Sequence, residues 1–331
     1  MAGYTGIDIG ANSVVMVHRE GGRNSRAKRF EQTPAGHRAL IGELKRLRPQ
    51  RIVLEATGVY YFDLAVALSE AGLPVAVINP KSFHHFAKLK LNECKTDPVD
   101  AALLAEYAEC FSPALWEVPE STSLALREIG RQINRLTGAR TQAKNRLHAL
   151  KAKRATPALL IEDEREAIAA LDRRIARLTQ AAQAYLAQAP ELTRQRAHLQ
   201  AAKGIGEASS LALLAELCVL PAHLSAPQVS RHAGLDVRLW QSGSSVDKPG
   251  RLSKAGNAYL RAALYMPALS AVQHDPYARA FYEALQRRGK KKIQALCAVM
   301  RKYLTGLWAC LKLDQPFDSA KLFSTVHFQN S

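Results

Sequence analysis

Tyr4-Thr5-Gly6-Ile7-Asp8-Ile9, then Gly10-Ala11-Asn12, then Ser13-Val14-Val15-Met16-Val17-His18 is the stretch whose reading decides the fold. Two apolar runs joined by small turn-forming residues read as β-strands over 4–9 and 13–18. Asp8 stands inside the first of them. An unpaired charge in an apolar strand is costly to bury, so its presence there points to function. Working outward, residues 26–32 read as a third strand after the Gly21-Gly22 turn, and a helix follows from Pro34 to about Leu47. Arg51-Ile52-Val53-Leu54-Glu55 reads as a buried strand, about Tyr60 to Ala71 as a helix stopped by Gly72, and Pro74 to Asn79 as another strand. The order βββαβαβα is that of a ribonuclease H-like α/β domain: a meander, then right-handed crossovers to parallel strands. Ligands gather beyond the carboxyl ends of such strands, where Glu55 lies, with Asp8 on the neighbouring first strand.

A second acidic pair comes later, in Lys95-Thr96-Asp97-Pro98-Val99-Asp100-Ala101 ahead of the apolar run Ala102-Leu103-Leu104-Ala105. Asp97 is expected as N-cap, Pro98 as the first helical residue, and Asp100 in the first turn. Residues three apart share a helix face, so both carboxylates should point one way. By themselves they read equally as a capping arrangement. With Asp8 and Glu55 they make four carboxylates that would repel one another unless a hard cation, Mg2+ or Mn2+, sat between them.

The net charge of +17 is unevenly spread. Residues 1–120 hold 14 basic and 14 acidic side chains, 121–200 hold 15 and 7, and 201–331 hold 17 and 8. A neutral acidic-site domain followed by a basic remainder suits a polyanion bound by one part and processed by another. Cys94, Cys110, Cys218, Cys297 and Cys310 are scattered without metal-ligand spacing, as expected of buried thiols in a reducing cytoplasm. No apolar run approaches the about 18 residues of a membrane span, so a cytoplasmic protein with no membrane partner is expected.

Three segments are expected: 1–120, a helical hairpin or coiled coil over 121–200, and a mostly helical 201–331. Leu126, Ile129, Ile133 and Leu136, then Ile168, Leu171, Ile175 and Leu178, recur at helical spacing on either side of Thr156-Pro157. The basic face Arg127, Arg131, Arg135, Arg140, Lys144, Lys151, Lys153 and Arg154 reads as solvated or as contacting phosphates. Lys203-Gly204-Ile205-Gly206 opens the last segment. Its Gly-x-Gly turn lets backbone N–H groups approach a phosphate, as in helix-hairpin-helix modules, or is an ordinary interhelical turn. A polar loop, Gln241-Ser242-Gly243-Ser244-Ser245-Val246, leads through Lys248, Arg251 and Lys254 to a helix from about Asn257 that carries Arg261. Taken alone it reads as a linker. The basic groups after it are what a serine attacking a phosphodiester would need nearby.

Gly6-Ile7-Asp8, Leu54-Glu55-Ala56-Thr57-Gly58, Ile78-Asn79-Pro80, Lys95-Thr96-Asp97 with Asp100-Ala101, Gly204-Ile205-Gly206, Ser242-Gly243-Ser244-Ser245 and Ser253-Lys254-Ala255-Gly256 occur in this order. The ordered set resembles the DEDD transposases of bacterial insertion sequences, relatives of the pilin-gene invertase, some of them bridge-RNA-guided recombinases. The resemblance covers nearly the whole chain. It implies a RuvC-like nuclease domain, a coiled-coil insertion and a transposase domain. Asp8, Glu55, Asp97 and Asp100 match the metal-binding tetrad and Ser242 the nucleophile. The residues themselves, the Gly-x-Gly turn and the basic groups after the serine loop, mark Lys203, Gly204, Gly206, Lys248, Arg251, Lys254 and Arg261 as the expected nucleic-acid contacts. The resemblance also implies target and donor double-stranded DNA, a non-coding guide RNA, and a homo-oligomer, dimer or synaptic tetramer, in which serine and tetrad come from different subunits. Asp247-Lys248 departs from relatives, which carry Arg-Gly there, and leaves the local phosphate contact open. Spacing alone also leaves Ser244 and Ser245 as rivals to Ser242.

Competing classes are weaker. An actin-like or sugar-kinase ATPase would explain Gly6 to Ser13 as a phosphate loop, but needs a second Asp-x-Gly loop and a Gly-rich adenosine site that the sequence lacks. A Holliday-junction nuclease would use the same tetrad with water, leaving Ser242 structural. An inert nucleic-acid-binding protein would find four acids a liability against phosphate.

Overall fold

A computed structural model describes residues 2–56, 60–91, 96–242 and 246–323, with the backbone alone for 240–242 and 246–249. The chain forms two compact units, 1–118 and 119–331.

In the first unit β1 (Gly3–Ile9) and β2 (Ser13–Glu20) pair antiparallel, with Gly6 opposite Val17 and Asp8 opposite Val15. The expected third strand is present in two short pieces, β3 (Arg23–Asn24) and β4 (Lys28–Glu31), both antiparallel to β2. The break falls where the Ser25 hydroxyl and amide engage His18 in place of a regular ladder. After α1 (Pro34–Leu47) comes β5 (Arg51–Glu55), parallel to β1, and after α2 (Tyr61–Glu70) comes β6 (Val75–Ile78), parallel to β5. Two helices complete the unit, α3 (Pro80–Leu89), which the sequence reading did not anticipate, and α4 (Asp97–Phe111). Strand order β3-β2-β1-β5-β6 is the ribonuclease H-like arrangement. Alternation along β5 divides the core. Ile52 and Leu54 face Leu40, Leu44 and Leu64 of α1 and α2, whereas Val53 faces Phe83, Phe86 and Leu104 of α3 and α4.

The second unit opens with two long helices, α5 (Ser121–Lys151) and α6 (Ala158–Ala187), packed along one another. Pro157 caps α6, and the Thr156 hydroxyl donates to the Leu150 carbonyl to close α5. Then follow α7 (Pro190–Gln200), α8 (Glu207–Leu217), α9 (Ala226–His232), the hairpin β7 (Val237–Ser242) and β8 (Val246–Leu252), α10 (Ala258–His274), α11 (Pro276–Arg287), α12 (Lys292–Leu313) and α13 (Ser319–Leu322). Leu126 and Leu186, at the base of the long helices, share one apolar cluster with Leu214, Leu264, Val299 and Tyr303. Among the described residues no helix is long and apolar enough to cross a membrane.

Candidate active site

The acidic site starts from a glycine. A Cβ on Gly6 would collide with the Ala101 carbonyl and Ala105 amide and stand 2.7 Å from Leu104 Cβ, so only a bare backbone lets α4 lie this close to β1. Asp8 lies two residues beyond Gly6 on the same sheet face. The close crossing therefore sets the first turn of α4, with Asp97 and Asp100, beside Asp8. Glu55 is the last residue of β5, and its strand runs parallel to β1 with Leu54 opposite Ile7.

Burial pushes the Asp8 carboxyl up to about 6, and the negative charges of Asp100, Asp97 and Glu55 add to the shift. All four acids of the sequence pattern are thus close enough to act on one proton. They do not form a closed cage. Among the described residues no three His, Cys, Asp or Glu side chains stand together around one cation position. Asp97 is paired with Arg29 of β4, whose guanidinium sits 3.0 Å from Asp97 Oδ2 and donates to the Ser13 hydroxyl at 2.6 Å. The expected cap shifts by one residue. Thr96 is the extended N-cap, Asp97 is the first helical residue, and the Asp100 amide donates to the Thr96 carbonyl. Asp97 pairs with Arg29 instead of capping, and the helix dipole favours both carboxylates in this turn.

Ser242 is the last residue of β7, opposite Val246. The segment is mostly helical, as expected, but the polar stretch read as a loop or linker from Gln241 onward is flanked by two paired strands, a correction to that local reading. Pro249 and Gly250 in β8 hid the pairing, because such residues argue against a strand; a two-stranded ribbon tolerates them at an irregularity between Arg238 and Trp240. Gly243, Ser244 and Ser245 lie outside the described residues, as do the side chains of Ser242 and Lys248. The base of the hairpin is clamped. The Ser253, Lys254 and Asn257 amides donate to the carbonyls of Asp236, Gly234 and His232 at 2.9, 3.0 and 2.7 Å, and the Ser253 hydroxyl bonds Asp236.

The residues read as nucleic-acid contacts divide between surface and interior. Lys203, Arg251 and Lys254 are exposed, Lys254 in the left-handed region at φ 51°. Gly204 has φ +88°, and a Cβ there would meet the Pro267 carbonyl at 2.7 Å, so close packing on α10 accounts for it. Gly206 is the N-cap of α8, with open space around it. Arg261 is half-buried and donates to the Ala233 carbonyl at 2.9 Å, bracing the turn at Gly234. On α5, Arg131 makes a two-pronged ion pair with buried Glu216 at 2.7 and 2.9 Å, and Arg140 pairs with Asp172 at 2.7 Å. Arg131 therefore supports the fold and Arg140 makes a surface pair, while Arg135, Lys144, Lys151, Lys153 and Arg154 are exposed.

A transposase family model matches residues 5–151, and a model described as the transposase IS116/IS110/IS902 family matches 196–283. The pilin gene-inverting protein of Moraxella bovis is 30% identical over 270 residues, covering 81% of each chain, and its Moraxella lacunata counterpart matches equally. The chain belongs to this family of DEDD transposases. It is a DNA recombinase/transposase enzyme. A putative transposase of Sinorhizobium fredii is 38% identical over 119 residues, covering 34% of this chain and 29% of that protein. A Thermus thermophilus RuvC solved with a Holliday junction substrate aligns over 35% of this chain and all of its own, at 15% identity and a TM-score of 0.29.

Two long-range ion pairs of the transposase escaped the sequence reading. Arg29 sits in a run of exposed basic residues, Arg26, Lys28 and Arg29, with nothing local to set it apart. Glu216 lies in an apolar helix, which was the available signal. It accepts from Arg131 and from the Asn257 amide at 2.5 Å, and Asn257 in turn caps α10 through the Leu260 amide. The long-helix pair and the base of the serine hairpin are thus tied to one buried carboxylate.

Proposed function

We propose that this transposase cuts and rejoins double-stranded DNA at an acidic centre built from Asp8, Glu55, Asp97 and Asp100, with Ser242 as the attacking group. The observation that carries the reading is the close crossing of α4 over Gly6, which sets Asp97 and Asp100 beside Asp8, with Glu55 ending the neighbouring parallel strand; burial and these neighbours raise the Asp8 carboxyl. By their chemistry four neighbouring carboxylates are a hard-cation donor set suited to Mg2+ or Mn2+, and they would have to close around the ion, since no three described ones now surround one position. Asp8 and Glu55 would hold the ion from the sheet, Asp100 from α4, and Asp97 once it leaves Arg29. When bound, the ion neutralises the scissile phosphate and stabilises the attacking and leaving oxygens.

In the proposed step the Ser242 hydroxyl oxygen forms a bond to phosphorus while a deoxyribose oxygen leaves. The departing strand takes up a proton in place of the one serine gives. Attack on the phosphoserine ester by the hydroxyl of another strand restores the phosphodiester and the serine, so rejoining needs no nucleoside triphosphate. Support for Ser242 over Ser244 and Ser245 is its match to the family pattern and its position at the end of a strand with a clamped base. The basic excess beyond residue 120 supports binding of target and donor DNA and of a guide RNA. The guide RNA and the dimer or tetramer rest on family resemblance.

Denaturing gels test the serine. Wild type should become covalently joined to a DNA end, with the nucleotide on the Ser242 peptide, and Ser242→Ala should bind DNA yet form no adduct. Free ends together with full cleavage by Ser242→Ala would mean that water attacks.

A further inference from the structure

Paired residues on adjacent strands point to the same sheet face, and Val15 of β2 is paired on one side with Asp8 and on the other with Arg29. Asp8 and Arg29 therefore lie on one face, two strand spacings or roughly 10 Å apart, with the first turn of α4 above them. Arg29 reaches over this gap. Its two terminal nitrogens contact Asp97 at 3.0 Å and Ser13 at 2.6 Å, so the guanidinium is fixed between strand and helix. The neighbouring Lys28 turns elsewhere, to Glu43 at 2.9 Å. One member of the acid set is thus held by a resident cation of the chain itself.

We propose that Arg29 is the built-in counter-cation of the acidic site: it holds Asp97 in the metal-free protein, and loading of a divalent ion displaces it. This rests on the metal reading above and adds a gate to it. The pair is half exposed, at 59% and 54% for the two side chains, so it is weak enough to be displaced by an ion that also draws on Asp8, Glu55 and Asp100. Its two-pronged hold between Ser13 and Asp97 is one that a lysine ammonium, a single point charge, cannot reproduce.

Mn2+ titration of the full chain without DNA, with free Mn2+ counted by electron paramagnetic resonance, tests this directly. Arg29→Ala should bind Mn2+ about two- to fivefold more tightly than wild type, the range spanned by an exposed ion pair. Ser13→Ala, which removes only the anchor, should shift affinity in the same direction by less, and Arg29→Lys should fall between wild type and Arg29→Ala. Lys28→Ala removes an equal charge from the same strand and should leave affinity unchanged. Equal affinity in wild type and Arg29→Ala, or an equal gain in Lys28→Ala, overturns the proposal. Wild-type binding no stronger than that of Asp8→Asn would instead remove the metal reading, and this inference with it.

Discussion

Gly6 of β1 lies directly beneath the Ala101 carbonyl of α4, at a separation that leaves no room for a side chain. Asp100 precedes Ala101, and Asp8 stands two residues beyond Gly6 on the same face. The glycine thus sets how near the two carboxylates come.

Gly6→Ala should move α4 off the sheet. The obstruction is backbone on both sides, so no rotamer relieves it, and the cost is about 3 kcal/mol, toward the upper end for overpacking. Thermal unfolding should show the loss. DNA cleavage should fall further than stability does, because Asp97 and Asp100 move with the helix.

Asp8 makes the metal-free protein pH-sensitive. The unfolded chain loses this proton near 3.8 and the folded chain near 6, so the native state is favoured below 3.8 and that stabilisation is lost as pH rises through 6. Allowing for the solvent contact of a partly buried carboxyl, about 1–2 kcal/mol should disappear between about pH 4 and pH 7. Glu43, drawn down to about 2 by Arg46 and Lys28, acts in the opposite sense and at lower pH. Chemical denaturation in EDTA across this window should show the slope, and Asp8→Asn should flatten it.

Cleavage should require Mg2+ or Mn2+ and stop in EDTA. Asp8→Ala, Glu55→Ala and Asp100→Ala should each reduce it by at least about a hundredfold, the scale expected when one group acting on transition-state charge is lost, with circular dichroism unchanged. Full activity of Asp100→Ala in EDTA would sink the metal centre.

Arg131→Ala should destabilise the second unit by about 3 kcal/mol, because it strands the buried Glu216 carboxylate. Asn257 remains bonded to Glu216 at 2.5 Å and cannot offset the charge. Urea unfolding should show the loss. Arg140→Ala, which breaks a surface pair with Asp172, should cost less than about 1 kcal/mol.

Much of this protein was determined by its sequence alone. Strand and helix order in the first unit follow from local periodicity, because a half-buried strand or helix must repeat its apolar residues at its own pitch; α1 runs from Pro34 to Leu47 and β5 from Arg51 to Glu55, as read. The two long helices and their break at Thr156-Pro157 were legible for the same reason, and the four acids were legible as residues out of place in apolar strands or grouped in a first turn. Tertiary structure alone decided what long-range pairing controls. It took Arg29 from an undistinguished basic run to Asp97, 68 positions along the chain, and Arg131 to Glu216, 85 positions along. It also paired Val237–Ser242 with Val246–Leu252, since cross-strand bonds and a clamped base overrode the local signal of Pro249 and Gly250. Periodicity is a property of neighbours in the chain. Which charge meets which is settled only when β1, β4 and α4, or α5, α8 and α10, come together.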